Sequence, residues 1–134
     1  MQFKDDAPIY QQIVDRFKLQ IATGRLAPGA KVKSVRDYAV EMGVNPNTMQ
    51  KAMSILEQDG LLHTERTAGR SVTEDAAAVD ALRRRLIGDE VRRFLAAMAA
   101  MGYDAAQSAA LLEDYVQTAG QERRNEREQY HLDS

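Results

Sequence analysis

Apolar residues recur at three- and four-residue steps over Ile9, Ile13, Val14, Phe17 and Ile21, and the run stops at Gly24. That period predicts a first helix opened by Ala7-Pro8, with proline at its first position, where no N–H is needed. Leu26-Ala27-Pro28-Gly29 then reads as a turn, and Lys31-Val32-Lys33 as a very short strand. Ser34 followed three residues later by Asp37 is a capping-box pattern. It predicts a second helix over 35–42, with Val35, Tyr38, Ala39 and Met42 inward and Gly43 as its stop. A third helix is predicted over 46–58: Asn45 caps it, Pro46 suits its first position and Asp59-Gly60 closes it. Two short helices so close in sequence form a helix-turn-helix. After Gly60, Leu61-Leu62-His63-Thr64-Glu65 and Ser71-Val72-Thr73 predict two strands joined by residues 66–70, a hairpin wing.

From Ala76 onward the pattern is helical throughout. Val79, Leu82, Leu86, Ile87, Val91, Phe94, Leu95, Met98 and Met101 mark a long helix ended by Gly102. Asp104 and Gln107 make a second capping box, opening a helix that carries Leu111, Leu112, Tyr115, Val116 and Ala119. The tail is therefore expected to be a helical hairpin, with the polar, mixed-charge residues 120–134 frayed. Its apolar stripe is wider than two helices can cover against each other. A second copy related by a two-fold axis covers the remainder in this reading, through Leu82, Leu86, Val91, Phe94, Leu95, Met98, Leu111, Leu112 and Tyr115. The competing reading packs the stripe on the chain's own winged helix. The expected fold is mainly α: a winged helix-turn-helix of three helices and a small hairpin over residues 1–75, then a two-helix dimerisation segment over 76–134.

Composition narrows the chemistry. A chain of 134 residues that is 44% hydrophobic can hold one ordinary domain, or a small domain with an extension. No stretch of about 18 apolar residues is available to cross a membrane, and the N-terminus lacks the apolar core of a signal peptide, so a cytoplasmic location is expected. Without cysteine there is no disulfide, thiolate metal site or cysteine nucleophile. His63 and His131 stand far apart, so neither a metal nor a cofactor is expected. Paired carboxylates, nucleophile–base sets and phosphate loops are absent at useful spacing, which argues against an enzyme.

The net charge of −2 is not that of a globally basic nucleic-acid binder, but residues 25–70 carry seven basic side chains against five acidic ones. On the third helix Met49, Ala52, Met53 and Leu56 form the apolar stripe. Asn47, Thr48, Gln50, Lys51 and Ser54 lie off it, amides, hydroxyls and one lysine of the kind that read base edges and phosphates in a major groove. Arg66 and Arg70 flank the wing tip, within reach of a phosphate or a minor groove. The triplet Arg83-Arg84-Arg85 reads instead as a solvated helix face, with Asp80, Asp89 and Glu90 as partners within a turn.

Several ordered motifs carry a resemblance. Pro8-Ile9-Tyr10-Gln11-Gln12-Ile13, Gly24-Arg25-Leu26-Ala27-Pro28-Gly29, Ser34-Val35-Arg36, residues 44–52 and residues 56–62 together resemble the winged-helix domain of GntR-type bacterial transcription regulators. The Asn45-Pro46-Asn47-Thr48 entry and the short tail are most similar to the YtrA subfamily, whose members are dimeric and often repress transporter operons. The resemblance implies DNA contacts from Ser34 and Arg36, from Asn45, Asn47, Thr48 and Gln50, and from the wing around Gly69. Lys33 stands where the family usually has proline. In the wing, Thr67-Ala68-Gly69-Arg70-Ser71-Val72 lacks the family's first glycine and its aromatic anchor.

The resulting expectation is a sequence-specific regulator of double-stranded DNA: a dimeric repressor on an inverted repeat, controlling a transporter operon. Asn47, Thr48 and Gln50 would face bases, and Lys33, Ser34, Arg36 and Lys51 would hold phosphates. The alternative is a winged-helix module that docks protein, which the near-neutral charge permits. A small-molecule effector is not indicated, although Met98, Met101, Tyr103 and Tyr115 offer lining for one; those four read more readily as core.

Overall fold

The computed structural model describes residues 2–133. Along them run α1 (Ile9–Ala22), α2 (Val35–Met42), α3 (Pro46–Gln58), β1 (Leu62–Glu65), β2 (Gly69–Val72), α4 (Ala76–Ala100) and α5 (Ala105–Asp133). Mainly helical architecture with a single two-stranded antiparallel sheet is thus observed among the described residues. Contacts divide the chain into one unit ending at Ile87 and another beginning at Gly88.

In the first unit the helix ends are set by local chemistry. Pro8 is the N-cap of α1 rather than its first residue, and its carbonyl accepts the N–H groups of Gln11 and Gln12 at 3.1 and 3.2 Å. Ser34 Oγ accepts the Asp37 N–H at 3.1 Å, which starts α2. Gly43 takes φ +65°, a left-handed conformation that lets the chain leave α2 sharply. There the Val44 N–H donates to Ala39 O (3.0 Å) and the Gly43 N–H to Val40 O (3.3 Å), so orphan carbonyls of α2 are satisfied inside the turn.

One core holds these elements together. Ile13, Val14, Phe17 and Ile21 of α1 meet Tyr38 and Ala39 of α2, Met49, Ala52, Met53 and Leu56 of α3, and Leu61, Leu62 and Val72 around the sheet. Phe17 and Tyr38 stack edge to face with ring centroids 5.1 Å apart, the favoured aromatic geometry. The core does not stop at the wing. Val79 and Leu82 of α4 are buried in it, and Leu86 packs against it. Leu82, expected on the dimer surface, is only 2% exposed because this core claims it. Arg83 adds a polar tie, its Nε donating to Ala22 O at the end of α1 (3.0 Å).

The hairpin begins and ends at different places from the expected ones. Gly69 and Arg70 belong to β2, with Glu65 opposite Gly69 and Thr64 opposite Arg70. The connection shrinks to residues 66–68, closed by an Ala68 N–H to Glu65 O bond (3.3 Å) and by Gly69 at φ +78°. Such a three-residue loop with a left-handed glycine is a standard hairpin closure. The expected strand at 31–33 contracts to an isolated bridge, Lys31 with Ser71, flanked by Val72 N–H to Ala30 O and Val32 N–H to Arg70 O bonds (2.9 and 3.1 Å).

The second unit contains the end of α4 and all described residues of α5. Gly102 closes α4 at φ +88°, with Tyr103 N–H to Met98 O and Gly102 N–H to Ala99 O, both 3.0 Å. The capping box forms reciprocally: Gln107 N–H to Asp104 Oδ1 (2.8 Å) and Asp104 N–H to Gln107 Oε1 (2.9 Å). Residues beyond Gly120 continue as helix to Asp133 instead of fraying. They contain no proline or β-branched residue, and Gln121 bonds Asn125 (3.1 Å) and Arg124 (2.8 Å) one turn on. Asp89 and Glu90 pair with Arg92 and Arg93, not with the arginine triplet; Asp80 alone serves Arg83 and Arg84, at 3.5 and 3.3 Å.

Candidate nucleic-acid interface

The start of α3 is built to be rigid behind and polar in front. Asn45 Oδ1 accepts the Asn47 N–H at 2.7 Å, which caps the helix and leaves its amide NH2 for a partner. Met49, Ala52, Met53 and Leu56 are 0% exposed, which locks the helix in rotation as well as in position. Opposite them Asn47, Gln50 and Lys51 are exposed, while Thr48 is half-buried at the edge. The Gln50 side chain donates to Ser54 Oγ (3.1 Å), which leaves its amide oxygen open. At the start of α2, Lys33, Ser34 and Arg36 are exposed.

The basic residues differ in what already holds them. Lys33 pairs with Glu41, and that hydrogen-bonded carboxylate raises the ammonium above lysine's ordinary pKa. Both side chains are well exposed, and a surface ion pair of this kind contributes little, so Lys33 can exchange Glu41 for a phosphate at small cost. Among the described residues no carboxylate pairs with Lys51: its Nζ lies over the Tyr10 ring, 3.8 Å from the centroid. Among the described residues no ion pair engages Arg36 or Arg66.

Arg70 does not point where a wing-tip contact would. It lies opposite Thr64 on the ladder, so the two side chains share one face of the hairpin, and that face meets α3. There Glu57 Oε1 accepts from both Thr64 Oγ1 (2.5 Å) and Arg70 Nε. The Thr64 hydroxyl first, and the Arg70 guanidinium second, hold the Glu57 carboxyl below the usual carboxylate range. Arg70 therefore fixes the wing to α3, and Arg66 with Gly69 is what remains at the exposed tip. Glu57 and Tyr10 were not legible as site residues. In sequence Glu57 is one more acid at the end of a helix, and Tyr10 one more residue of an amphipathic one.

Residues 9–72 match the model of the gntR family of bacterial regulatory proteins. The uncharacterised HTH-type transcriptional regulator YhcF of Bacillus subtilis is 37% identical over 101 residues, 75% of this chain and 84% of that one. The chain belongs to the GntR family. It is also 38% identical to the HTH-type transcriptional repressor YtrA of B. subtilis over 73 residues, which are 54% of this chain and 56% of YtrA. A solved GntR-family transcriptional regulator from Listeria monocytogenes superposes with TM-score 0.75 at 32% identity, covering 84% of this chain and 98% of its own. The AraR DNA-binding domain, solved in complex with operator ORX1, superposes with TM-score 0.50 at 25% identity over 54% of this chain and 93% of that one.

The 101 residues over which this GntR chain matches YhcF are more than the first unit holds, so the likeness includes part of the second unit. In that unit Val91, Phe94, Leu112 and Tyr115 are exposed, Leu95, Met98 and Leu111 partly so, and α5 buries no apolar side chain at all among its described residues. Ser108 is the one fully buried side chain among the described residues of α5, its hydroxyl donating to Asp104 O (2.7 Å). An apolar groove of about 450 Å³ runs between Val91, Phe94 and Leu95 on one side and Ala105, Ala109 and Leu112 on the other. Met98, Met101, Tyr103 and Tyr115 do not line it.

Proposed function

We propose that this GntR-family chain is a sequence-specific repressor that binds an inverted-repeat operator as a homodimer, in the cytoplasm, and controls a transporter operon. The observation that carries the DNA reading is α3: a helix locked by four fully buried side chains presents two amides, a half-buried hydroxyl and a lysine at its first two turns. Asn47 and Gln50 can each offer a donor and an acceptor to a base pair, as bidentate readout requires. Ser34 and Arg36 stand at the other helix start, where N–H groups and a guanidinium suit phosphates. The operator complex of the AraR domain supports the same use of this fold.

The dimer reading rests on α5. A helix with Leu112, Tyr115 and Val116 all exposed presents apolar surface that an isologous contact with a second copy buries. Two-fold symmetry then places two α3 helices on half-sites about one helical turn apart, or a multiple of it. A transporter operon is the finest part of the reading and rests only on the resemblance of the Asn45-Pro46-Asn47-Thr48 entry and short tail to the YtrA subfamily.

The division of labour is tested on a selected operator. Arg36→Ala weakens binding by a similar factor on all sequences and reduces the salt dependence by about 0.9 in log–log slope per phosphate lost. Asn47→Ala relaxes preference at one base pair of each half-site, where discrimination drops by about 1–3 kcal/mol. A uniform loss from both variants refutes the assignment, and a salt-independent wild type points to a protein partner instead.

A further inference from the structure

Lys51 and Lys33 are held differently: Lys33 pairs with Glu41 and lies 6.0 Å from the Tyr38 ring centroid, whereas Lys51 sits close over a ring with no ion pair among the described residues. Lys51 follows Asn47 by four residues, so both lie on the same exposed stripe of α3. Its ammonium sits 3.8 Å from the centroid of Tyr10, a half-buried residue in the first turn of α1, well inside the range for a cation–π contact. α1 and α3 pack against each other, and eight residues further on in both segments Lys18 Nζ of α1 meets Oδ2 of Asp59, the C-cap of α3, at 3.1 Å. Two contacts in register, Tyr10 with Lys51 and Lys18 with Asp59, thus set the helices side by side.

The chemistry of the partner matters. A carboxylate neutralises the lysine it holds, as Glu41 does for Lys33. An aromatic face orients an ammonium and leaves its charge intact. Lysine is otherwise the costliest kind of side chain to immobilise, and the ring imposes that order before any ligand arrives.

We infer that Tyr10 is a positioning residue for DNA recognition: its ring holds the Lys51 ammonium at the α1 side of the reading helix, where it serves a backbone phosphate and stays clear of the bases faced by Asn47 and Gln50. The inference rests on the DNA reading above. It assigns to α1, an element with no base-reading residue of its own, a direct part in setting affinity.

The test combines a double-mutant cycle with a measurement that needs no DNA. Binding to a selected operator is followed by fluorescence anisotropy across a salt series. Lys51→Met lowers the log–log salt slope by about 0.9 per protomer and weakens all sequences alike. Tyr10→Leu weakens binding about two- to fivefold, the scale of an exposed cation–π contact, and Tyr10→Phe, which keeps the ring, binds as wild type. In the Lys51→Met background Tyr10→Leu has no further effect. An equal loss in both backgrounds makes Tyr10 merely structural and overturns the inference; so does a Tyr10→Phe defect, or tighter binding by Tyr10→Leu. In parallel, the Lys51 ε-methylene protons show an upfield ring-current shift by NMR, retained in Tyr10→Phe and lost in Tyr10→Leu. An unshifted wild-type signal overturns the pairing itself. A wild type that selects no DNA sinks the functional reading, whereas a wild type that binds while the cycle is additive sinks this inference alone.

Discussion

Replacing Glu57 by glutamine removes one charge from the junction of wing and reading helix while keeping its shape and one acceptor oxygen. Glu57 is 31% exposed and Arg70 20%, so water screens the pair in part. A well-buried bond to a charged group contributes about 1.5–3 kcal/mol; with this exposure, and with Thr64 still able to donate to the amide oxygen, about 1 kcal/mol is the expected loss at pH 7. For a unit ending at Ile87 that corresponds to a Tm lower by about 4–8 °C. The pH dependence is the sharper part. Because Thr64 and Arg70 hold the folded-state pKa of Glu57 below its unfolded value, the stabilisation is complete above the ordinary value of about 4.5. It is lost as the pH falls through the folded-state value. Thermal melts of wild type and Glu57→Gln, followed by circular dichroism from pH 7 to pH 3, therefore show a gap that closes on the acid side. Equal stability at pH 7, or a gap that persists unchanged at pH 3, refutes the clamp.

Gly43→Ala forces a Cβ into φ +65° although no atom lies within 4 Å of it, so the penalty is conformational alone, about 1 kcal/mol. Urea denaturation reads it as a lower midpoint at constant slope, and an unchanged midpoint contradicts the role given to this turn. Val91 and Leu112 are each 50% exposed on the groove of the second unit. Val91→Glu with Leu112→Glu converts the proposed dimer to monomer in light scattering behind gel filtration and weakens operator binding, with the winged helix still folded; a double variant that remains dimeric rules this face out.

Most of the winged helix was legible because its punctuation is local. Proline before a polar run, asparagine or serine at a cap, and glycine after the last apolar residue each act within four residues of chain, and Ser34, Asn45, Gly43 and Gly102 do in the fold what their chemistry predicts. What sequence did not reveal depends on partners distant in the chain. Arg70 looked like a tip residue until the strand register placed it opposite Thr64 and above Glu57, thirteen residues back. Leu82 carries the same apolar signature as Phe94, yet one fills the core with α1 and the other stays half-open. Polarity alone suggested fraying beyond Gly120, whereas Gln, Glu and Arg are good helix formers and need no buried face to stay helical next to one another.

The central claim, a symmetric reader of DNA, is tested most directly by enriching a random-sequence duplex pool on the purified full chain and sequencing what is retained. The account predicts an inverted repeat whose half-site centres lie about one helical turn or a multiple apart, with preference at one position per half-site lost in Asn47→Ala. Enrichment of no motif, or of one without two-fold symmetry, contradicts it.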